Sequence, residues 1–175
     1  MQRSTKTRWW QNVAYPRALA LRAFPHGARR AIAQAVRDAE QRHGGQIRVV
    51  VEPALDMHHL WRGVSPRQRA VGLFASTRVW DTAHHDGVLV YLLLAERAVE
   101  IVADRGLADK VSPAEWQQAC DVMRDLLRRR RPMDAVLAGI AGVDALRAAH
   151  VPEPSGGPAP RRVNELPDWP LILWR

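Results

Sequence analysis

Hydrophobic and polar positions along the chain change their period in a way that predicts short strands set between helices. Three segments are dense in β-branched and aliphatic residues, which is typical of strands; they are Gln46–Glu52, Val88–Leu94 and Val99–Ala103. The second is an unbroken apolar run, and such a run indicates a strand that is covered on both faces. We therefore expect a sheet with helices on each side.

Four other segments repeat apolar residues at three- and four-residue spacing, which predicts helices over about 25–43, 65–78, 112–131 and 133–150. Ser65 and Ser112 each precede a proline, and serine caps a free backbone N–H while proline fits the first helical turn. Between the first strand and the second helix, residues 54–63 are interpreted as a loop. The adjacent His58 and His59 in this loop are interpreted as polar surface residues.

The order of these elements predicts the fold class: an α/β protein, organised as a single-domain α/β/α sandwich with a central mixed β-sheet flanked by helices. A chain of 175 residues is long enough for one well-formed core. The first two strands are joined through a helix and should be parallel. The third follows the second through a short turn and should be antiparallel to it.

The two ends of the chain differ in composition from the domain predicted between them, residues 25–150. Residues 1–24 form a basic aromatic arm, since residues 1–30 contain seven Lys or Arg and no acid, together with Trp9 and Trp10. The favoured interpretation is a loosely packed extension. The alternative is an adaptor that binds an anionic membrane surface or a partner. Nucleic acid is not favoured as the partner.

Residues 151–175 are predicted to be a Pro/Gly-rich linker followed by an extended apolar tail that folds back on the domain or engages a partner. No secretory signal or bilayer-spanning run is recognisable, so we expect a cytoplasmic protein, with the arm allowing peripheral attachment to a membrane. Cys120 lies in an apolar helical stripe and is interpreted as a core thiol.

Acidic and histidine side chains flank the ends of the predicted strands. Both parallel strands begin, and the third strand ends, at the same end of the sheet. We expect Gln46, Asp81, His85, Asp86 and Asp104 to converge there, joined by Glu40 and His43 from the end of the first helix. Carboxylate oxygens are the ligands that calcium and magnesium prefer. The predicted metal ligands are Glu40, Asp81, Asp86 and Asp104, and no organic cofactor is expected.

The same residues allow an enzymatic alternative, a phosphatase in which the carboxylates hold a metal and His43 or His85 lies near the leaving group. The sequence contains no Cys pairs, no paired histidines at helical spacing, no EF-hand loop and no phosphate-binding glycine loop. Catalytic residues are therefore not assigned.

The segments AEQRHGGQIRVVVEPAL, RAVGLFASTRVWDTAHHDGVLVYLLLAERAVEIVADRGLADKV and NELPDWPLIL, together with Trp116, resemble the TPM-domain family. The similarity covers nearly the whole chain and is greatest to short proteobacterial forms without membrane anchors. The resemblance implies an α/β/α sandwich. It also implies either an acid phosphatase, as described for some plant members, or a divalent-ion site such as a calcium pocket. Because TPM and LemA genes are often neighbours, it further implies a LemA-type partner.

Two departures from that family fall at the predicted site. Relatives often have glutamate where this chain has Gln46, and an Asn-Asn pair where it has His85-Asp86. The loss of one carboxylate weakens a cage of oxygen ligands, while Asp86 restores the charge.

Overall fold

The computed structural model describes residues 5–151 and 164–173. Twelve elements follow one another along this described part of the chain: α1 (Thr5–Val13), α2 (Arg17–Ala23), α3 (His26–His43), β1 (Gln46–Glu52), α4 (Met57–Trp61), α5 (Pro66–Ser76), β2 (Gly87–Leu93), β3 (Ala98–Ala103), α6 (Arg105–Ala108), α7 (Pro113–Arg128), α8 (Pro132–His150) and β4 (Leu171–Ile172).

The strands form one mixed sheet in the order β3-β2-β1-β4. β1 and β2 are parallel, with Gln46 opposite Gly87 and Glu52 opposite Leu93. β3 returns antiparallel to β2, and β4 adds a short parallel strand beside β1. The predicted arrangement of the first three strands is therefore confirmed, and the tail supplies a fourth strand.

Helices cover both faces of the sheet, so the predicted α/β/α sandwich is confirmed. Alternate residues of the central strands enter two separate apolar clusters because successive side chains of a strand point to opposite faces. Val88, Val90 and Leu92 pack with residues of α3, α7 and α8. Leu89 and Tyr91 pack with residues of α5 on the other face. β2 is buried along its whole length, as its unbroken apolar run predicts.

Residues 54–63, predicted as a loop, contain the short helix α4, and a second short helix, α6, follows β3. Asp56 precedes α4 and its side chain accepts the backbone N–H of His59 at 2.9 Å. Asp104 precedes α6 and accepts the backbone N–H of Arg105 at 2.8 Å. Helices of five and four residues are too short to show an apolar period, so the capping aspartates are what mark them.

The prediction of a loosely packed N-terminal extension is wrong for the residues that the structure describes, because α1 and α2 dock on the domain. Asn12 is only 4% exposed; its side chain accepts the Leu55 N–H at 2.8 Å and donates to Glu96 at 2.9 Å. Arg8 also pairs with Glu96, at 2.8 Å. Phe24, just after α2, is fully buried in the core. Residues 1–4 lie outside the described part.

The C-terminal segment folds back on the domain, which is one of the two alternatives expected for the tail. Arg48 donates to the carbonyl oxygens of Pro167 and Trp169, both at 2.8 Å, and Leu166 is buried. The predicted linker over residues 152–163 and the last two residues lie outside the described part. Within residues 5–151 and 164–173, none of the helices combines the length and apolar character that crossing a membrane requires.

Candidate functional site

The edge at which β1 and β2 begin and β3 ends carries most of the predicted site; it is named here the amino edge. Asp86 immediately precedes β2, Asp104 immediately follows β3, and Glu40 lies in the last turn of α3. Asp81 follows α5 and instead forms an exposed ion pair with Arg78. The structure thus places three of the four predicted ligands on this edge, and each of the three has different interaction partners.

Asp86 is held in a buried ion pair with Arg147 of α8. Arg147 Nη2 lies 2.9 Å from Asp86 Oδ2, and each side chain is only 7% exposed. Gly45 makes room for this pair, because a Cβ at that position would lie 2.4 Å from Arg147 Nη1. The cavity beside the pair has a volume of about 10 Å³, enough for about one water molecule. The guanidinium therefore supplies the positive charge that faces Asp86.

Glu40 is a buried carboxyl group whose pKa lies far above its ordinary value. Burial raises the pKa from 4.5 to about 8, against the effect of the Ile47 N–H, which donates to Glu40 at 2.8 Å. The nearby carboxylates of Asp168 and Asp86 raise it further, while Arg37 lowers it. At pH 7 this side chain is therefore mostly protonated and neutral.

Substituting Glu40→Gln is expected to remove a loss of stability that the unsubstituted protein shows as the pH rises from 4.5 to about 8. The folded state holds the Glu40 proton more tightly than the unfolded state. Its stabilising effect is therefore complete below pH 4.5 and declines as the pH rises to about 8. The decline should be about 2–4 kcal/mol, allowing for partial access of water. Urea unfolding of both proteins between pH 5 and 9 measures it.

Glutamine can still accept the Ile47 N–H through its amide oxygen, so the variant should fold normally and show a flatter pH profile. Equal slopes for the two proteins over this range would contradict the assignment of the titrating group to Glu40.

Asp104 and His85 lie side by side at the amino edge. His85 Nδ1 is 3.6 Å from Asp104 Oδ2, and Arg105 Nη2 is 2.9 Å from His85 Nε2. Because a guanidinium can only donate, the ring accepts at Nε2 and carries its proton on Nδ1, toward the carboxylate. Asp104 Oδ2 is buried and has no hydrogen-bond partner in the described part of the chain.

Gln46, one of the departures from the TPM pattern, binds the C-terminal segment. Its side-chain oxygen accepts the backbone N–H groups of Glu165 and Leu166, at 2.8 and 2.9 Å. Glu165 in turn accepts the Ala83 N–H at 3.0 Å. The segment that begins at residue 164 therefore closes over the start of β1, and Gln46 fastens it there.

The predicted metal ligands do not form an oxygen cage in this arrangement. Within residues 5–151 and 164–173, no three His, Cys, Asp or Glu side chains are grouped so that they could hold a metal ion. The carboxylates of Asp81 and Asp86 face arginines. Asp86 also lies close enough to Glu40 to raise the pKa of Glu40. The set Glu40, Asp81, Asp86 and Asp104 stays a prediction. The side chain of His43 lies outside the part of the chain that the structure describes.

Sequence reasoning missed a polar network at the opposite edge, where β1 and β2 end; this is named the carboxyl edge. Glu52, the last residue of β1, accepts from the Tyr91 hydroxyl at 2.7 Å and from two nitrogens of Arg69 at 2.8 and 2.9 Å. Arg69 Nη1 lies 3.2 Å from His59 Nε2, and His59 Nδ1 lies 2.6 Å from Asp56. His59 therefore orients Arg69 and is not simply a polar surface residue. Buried carboxylate and arginine side chains 17 positions apart leave no local signal in the sequence.

A large cleft also opens beyond the carboxyl edge, with a volume of about 670 Å³. Its walls come from α2, from the turn between β2 and β3, and from the connection between α7 and α8. The lining residues are Tyr15, Leu19, Arg22, Ala23, Leu94, Arg97, Leu127, Arg130, Arg131, Pro132, Met133 and Asp134. It is much larger than the cavity at the amino edge and is strongly basic.

The fold and the two edges define a class of protein: a mixed-sheet α/β domain with helices on both faces and polar groups gathered at the ends of its parallel strands. The TPM domain profile matches residues 22–146, and the chain belongs to the TPM-domain family. The comparison with curated proteins finds no match.

A similar solved structure is the NMR structure of the BA42 protein from the psychrophilic bacterium Bizionia argentinensis. The two share 23% sequence identity and a TM-score of 0.69, over 83% of this chain and 92% of the other. At this level of identity the likeness concerns the fold.

Proposed function

We propose that this TPM-domain protein attaches peripherally to an anionic membrane surface through α1 and α2. The observation that carries the proposal is the outward side of these two helices, where large apolar side chains are exposed to solvent. They are Trp10, Val13, Leu19 and Leu21, with Trp10 68% exposed and Leu21 52%. Apolar and aromatic side chains on a surface helix are suited to the headgroup region of a bilayer.

Charge in this part of the chain supports the same proposal. Residues 1–30 contain seven basic residues and no acidic residue. Arg8 is engaged by Glu96 of the domain, whereas Arg22 is exposed beside Leu21. Each basic residue near an anionic leaflet contributes about 1 kcal/mol to binding. Basic and apolar residues therefore favour the same kind of surface.

The docking of α1 makes its exposed side chains available without a cost of folding on binding. Asn12 and Arg8 tie the helix to the ends of β1 and β2. A segment that is already ordered loses less conformational entropy when it binds. This favours a preformed binding face on α1 over a tail that orders only at the membrane.

The test is co-sedimentation with phosphatidylcholine vesicles, prepared with and without phosphatidylserine. The protein should bind only the anionic vesicles, and binding should weaken as salt rises because the charges are exposed. The double variant Trp10→Ser/Leu21→Ser should bind at least about tenfold more weakly, since each buried apolar side chain is worth about 1.5–3 kcal/mol.

Trp61→Ser is the matched control, because Trp61 of α4 is 89% exposed and lies outside the proposed face. It should leave vesicle binding unchanged. Absence of binding to anionic vesicles, or an equal loss in the control, would refute attachment through α1 and α2.

A divalent-cation site at the amino edge is the second candidate. It is favoured by the burial of the Glu40 carboxyl group near two further carboxylates, Asp86 and Asp168. A cation bound there would displace the Glu40 proton, so calorimetry with calcium or magnesium in buffers of different ionisation enthalpy should show proton release. Heats equal to those of an Asp86→Asn/Asp104→Asn variant would end this proposal.

The phosphatase alternative and the LemA-type partner stay predictions that follow from family resemblance. For the phosphatase, the relevant group would be the Asp104–His85 pair, in which the two side chains lie 3.6 Å apart. Release of phosphate from an aryl phosphate, lost on Asp104→Ala, would support it. Activity that survives this substitution would come from another source.

A further inference from the structure

The cleft beyond the carboxyl edge carries an unusual concentration of arginines, and is named the arginine cleft after Arg22, Arg97, Arg130 and Arg131. These residues come from α2, from the β2–β3 turn and from the α7–α8 connection. Three segments that are distant in sequence therefore bring their positive charges to the same cavity.

Most of this charge is not neutralised within the described part of the protein. Arg131 pairs with Asp134, whose Oδ2 lies 2.7 Å from its Nε. Arg22, Arg97 and Arg130 have no carboxylate within ion-pair distance among the described residues. Glu96, the residue next to Arg97, is already engaged by Arg8 and Asn12. The four arginines and Asp134 thus give the cleft a net charge of about +3.

The remaining lining of the cleft is mainly apolar. Leu94, Leu127 and Met133 contribute side chains from the core, and Leu19 and Ala23 contribute the wall on α2. A volume of about 670 Å³ lies within the range of about 300–1,000 Å³ that small-molecule sites occupy. Tyr15 adds a phenol whose pKa is raised by burial and lowered by Arg97, so that its hydroxyl is a donor at neutral pH.

The position of the cleft agrees with a general property of α/β sheets, whose ligands bind beyond the carboxyl ends of the parallel strands. Leu94 directly follows β2, and Arg97 directly precedes β3. The amino edge, where the sequence places the acidic residues, lies at the other end of the sheet.

Two of the cleft arginines adopt backbone conformations that favour glycine. Arg97 and Arg130 have φ values of 49° and 58°. Arg130 follows α7 in a Schellman motif, in which its N–H donates to Leu127 and the Arg131 N–H donates to Leu126. The equivalent position after α4 is Gly63, with φ 65°. Two arginines therefore remain at strained positions of the same cleft, and such strain is typical of functional sites.

We infer that the arginine cleft binds a phosphate ester with an apolar body, with the phosphate on the arginines and the body against Leu94, Leu127 and Met133. A guanidinium matches phosphate oxygens through paired hydrogen bonds. Three guanidinium groups suit a doubly charged phosphate better than they suit a singly charged carboxylate. The ligand is either the headgroup of a phospholipid or a soluble phosphate ester. The inference does not depend on the proposed attachment to membranes, although the two share Leu19 and Arg22.

The test is calorimetric titration of the full-length protein with n-hexyl phosphate below its micellar concentration. Binding should be at least about tenfold weaker in Arg97→Gly and in Arg130→Gly, since a charge-assisted hydrogen bond is removed in each. Glycine is chosen because it relieves the positive φ at both positions, so the variants should keep their unfolding midpoints.

Arg78→Gly is the matched control. Arg78 also has a positive φ, of 57°, and ends α5 in the same motif, but it does not line the cleft. It should bind n-hexyl phosphate as the unsubstituted protein does. Absence of binding by the unsubstituted protein would overturn the inference, as would equal weakening in Arg78→Gly. If inorganic phosphate binds as tightly as the hexyl ester, the inferred contact between the apolar body of the ligand and the cleft is refuted.

Two further arms separate the cleft from the membrane face and identify the source of the phosphate. Trp10→Ser/Leu21→Ser should keep its affinity for n-hexyl phosphate even if vesicle binding is lost, and a loss of this affinity would overturn the separate cleft. Arg97→Gly should weaken binding to phosphatidic acid vesicles only if the ligand is a lipid headgroup. If vesicle binding is unchanged while hexyl phosphate binding falls, the ligand is a soluble ester.

Discussion

Arg69→Met is expected to lower the free energy of unfolding by about 3–5 kcal/mol, because it leaves a buried charge without its partner. Glu52 is 1% exposed and is held by two hydrogen bonds from Arg69 and one from Tyr91. Methionine keeps most of the length of the side chain but can donate to no carboxylate. Urea unfolding at pH 7 measures the loss.

The double variant Glu52→Gln/Arg69→Met is the control for this prediction. Removing both charges replaces a buried ion pair by neutral groups, which is often close to neutral for stability. We expect it to recover most of the loss. If the double variant is less stable than the single one, Arg69 stabilises the protein by packing and not by compensating Glu52.

The Arg69 network also bears on function, because it fixes the geometry of the carboxyl edge. It fastens the end of β1 to α5 and, through His59, to α4. A loss of Arg69 should therefore loosen the segment that connects β1 to α5. Amide hydrogen exchange should report this as a rise in exchange rate, relative to the unsubstituted protein, that is larger at residues 53–63 than at the buried strand β2.

Arg147→Met is the second substitution with a large expected effect, again about 3–5 kcal/mol, because it removes the guanidinium that faces the buried carboxylate of Asp86. The two side chains are 2.9 Å apart and almost fully buried. Arg42→Met is the matched control: its partner, Asp144, also lies at the amino edge, but Arg42 is half exposed. Loss of an exposed pair should cost about 1 kcal/mol or less.

The same variant tests whether the amino edge can hold a divalent cation. Without Arg147, the carboxylates near Glu40 and Asp86 lack their nearest positive charge. Calcium or magnesium that binds there should raise the unfolding midpoint of Arg147→Met by more than that of Arg42→Met, in which Arg147 still faces Asp86, since a ligand stabilises the folded state that binds it. Identical midpoints with and without the cations would show that this edge holds no metal even when its arginine is removed.

The acidic residues that the sequence analysis grouped together have two different electrostatic environments in the structure. Asp86 and Asp81 have arginine partners, which gives each carboxylate a structural role in the protein as described. Glu40 avoids the problem of an unpaired buried charge by remaining protonated near neutral pH. Asp86 and Glu40 are therefore compensated in two different ways at the amino edge.

The sequence was sufficient to predict the central elements because local chemistry and tertiary packing agree there. β1 was predicted with the bounds that the structure shows, since its β-branched residues are buried on both faces of the sheet. Ser65 and Ser112 both cap helix starts, as their patterns predict, and the structure shows a full capping box at each. Strong local signals survive folding when the fold requires the same structure.

The prediction failed where the deciding contacts join distant segments. The docking of α1 depends on Asn12, whose partners Leu55 and Glu96 lie 43 and 84 positions away. An isolated helix of nine residues is marginal in water, so only those contacts make the segment ordered. The fourth strand likewise exists because Leu171–Ile172 finds the free edge of β1.

The candidate sites follow the same division. The sequence by itself determined that Glu40, Asp86 and Asp104 would lie at one edge of the sheet, because strand order and direction fix where loops meet. Only the tertiary structure decided what those side chains do, since Arg147 reaches Asp86 across 61 positions. It alone assembled the arginine cleft, because charges from three separate segments become one site only when helices and turns pack together.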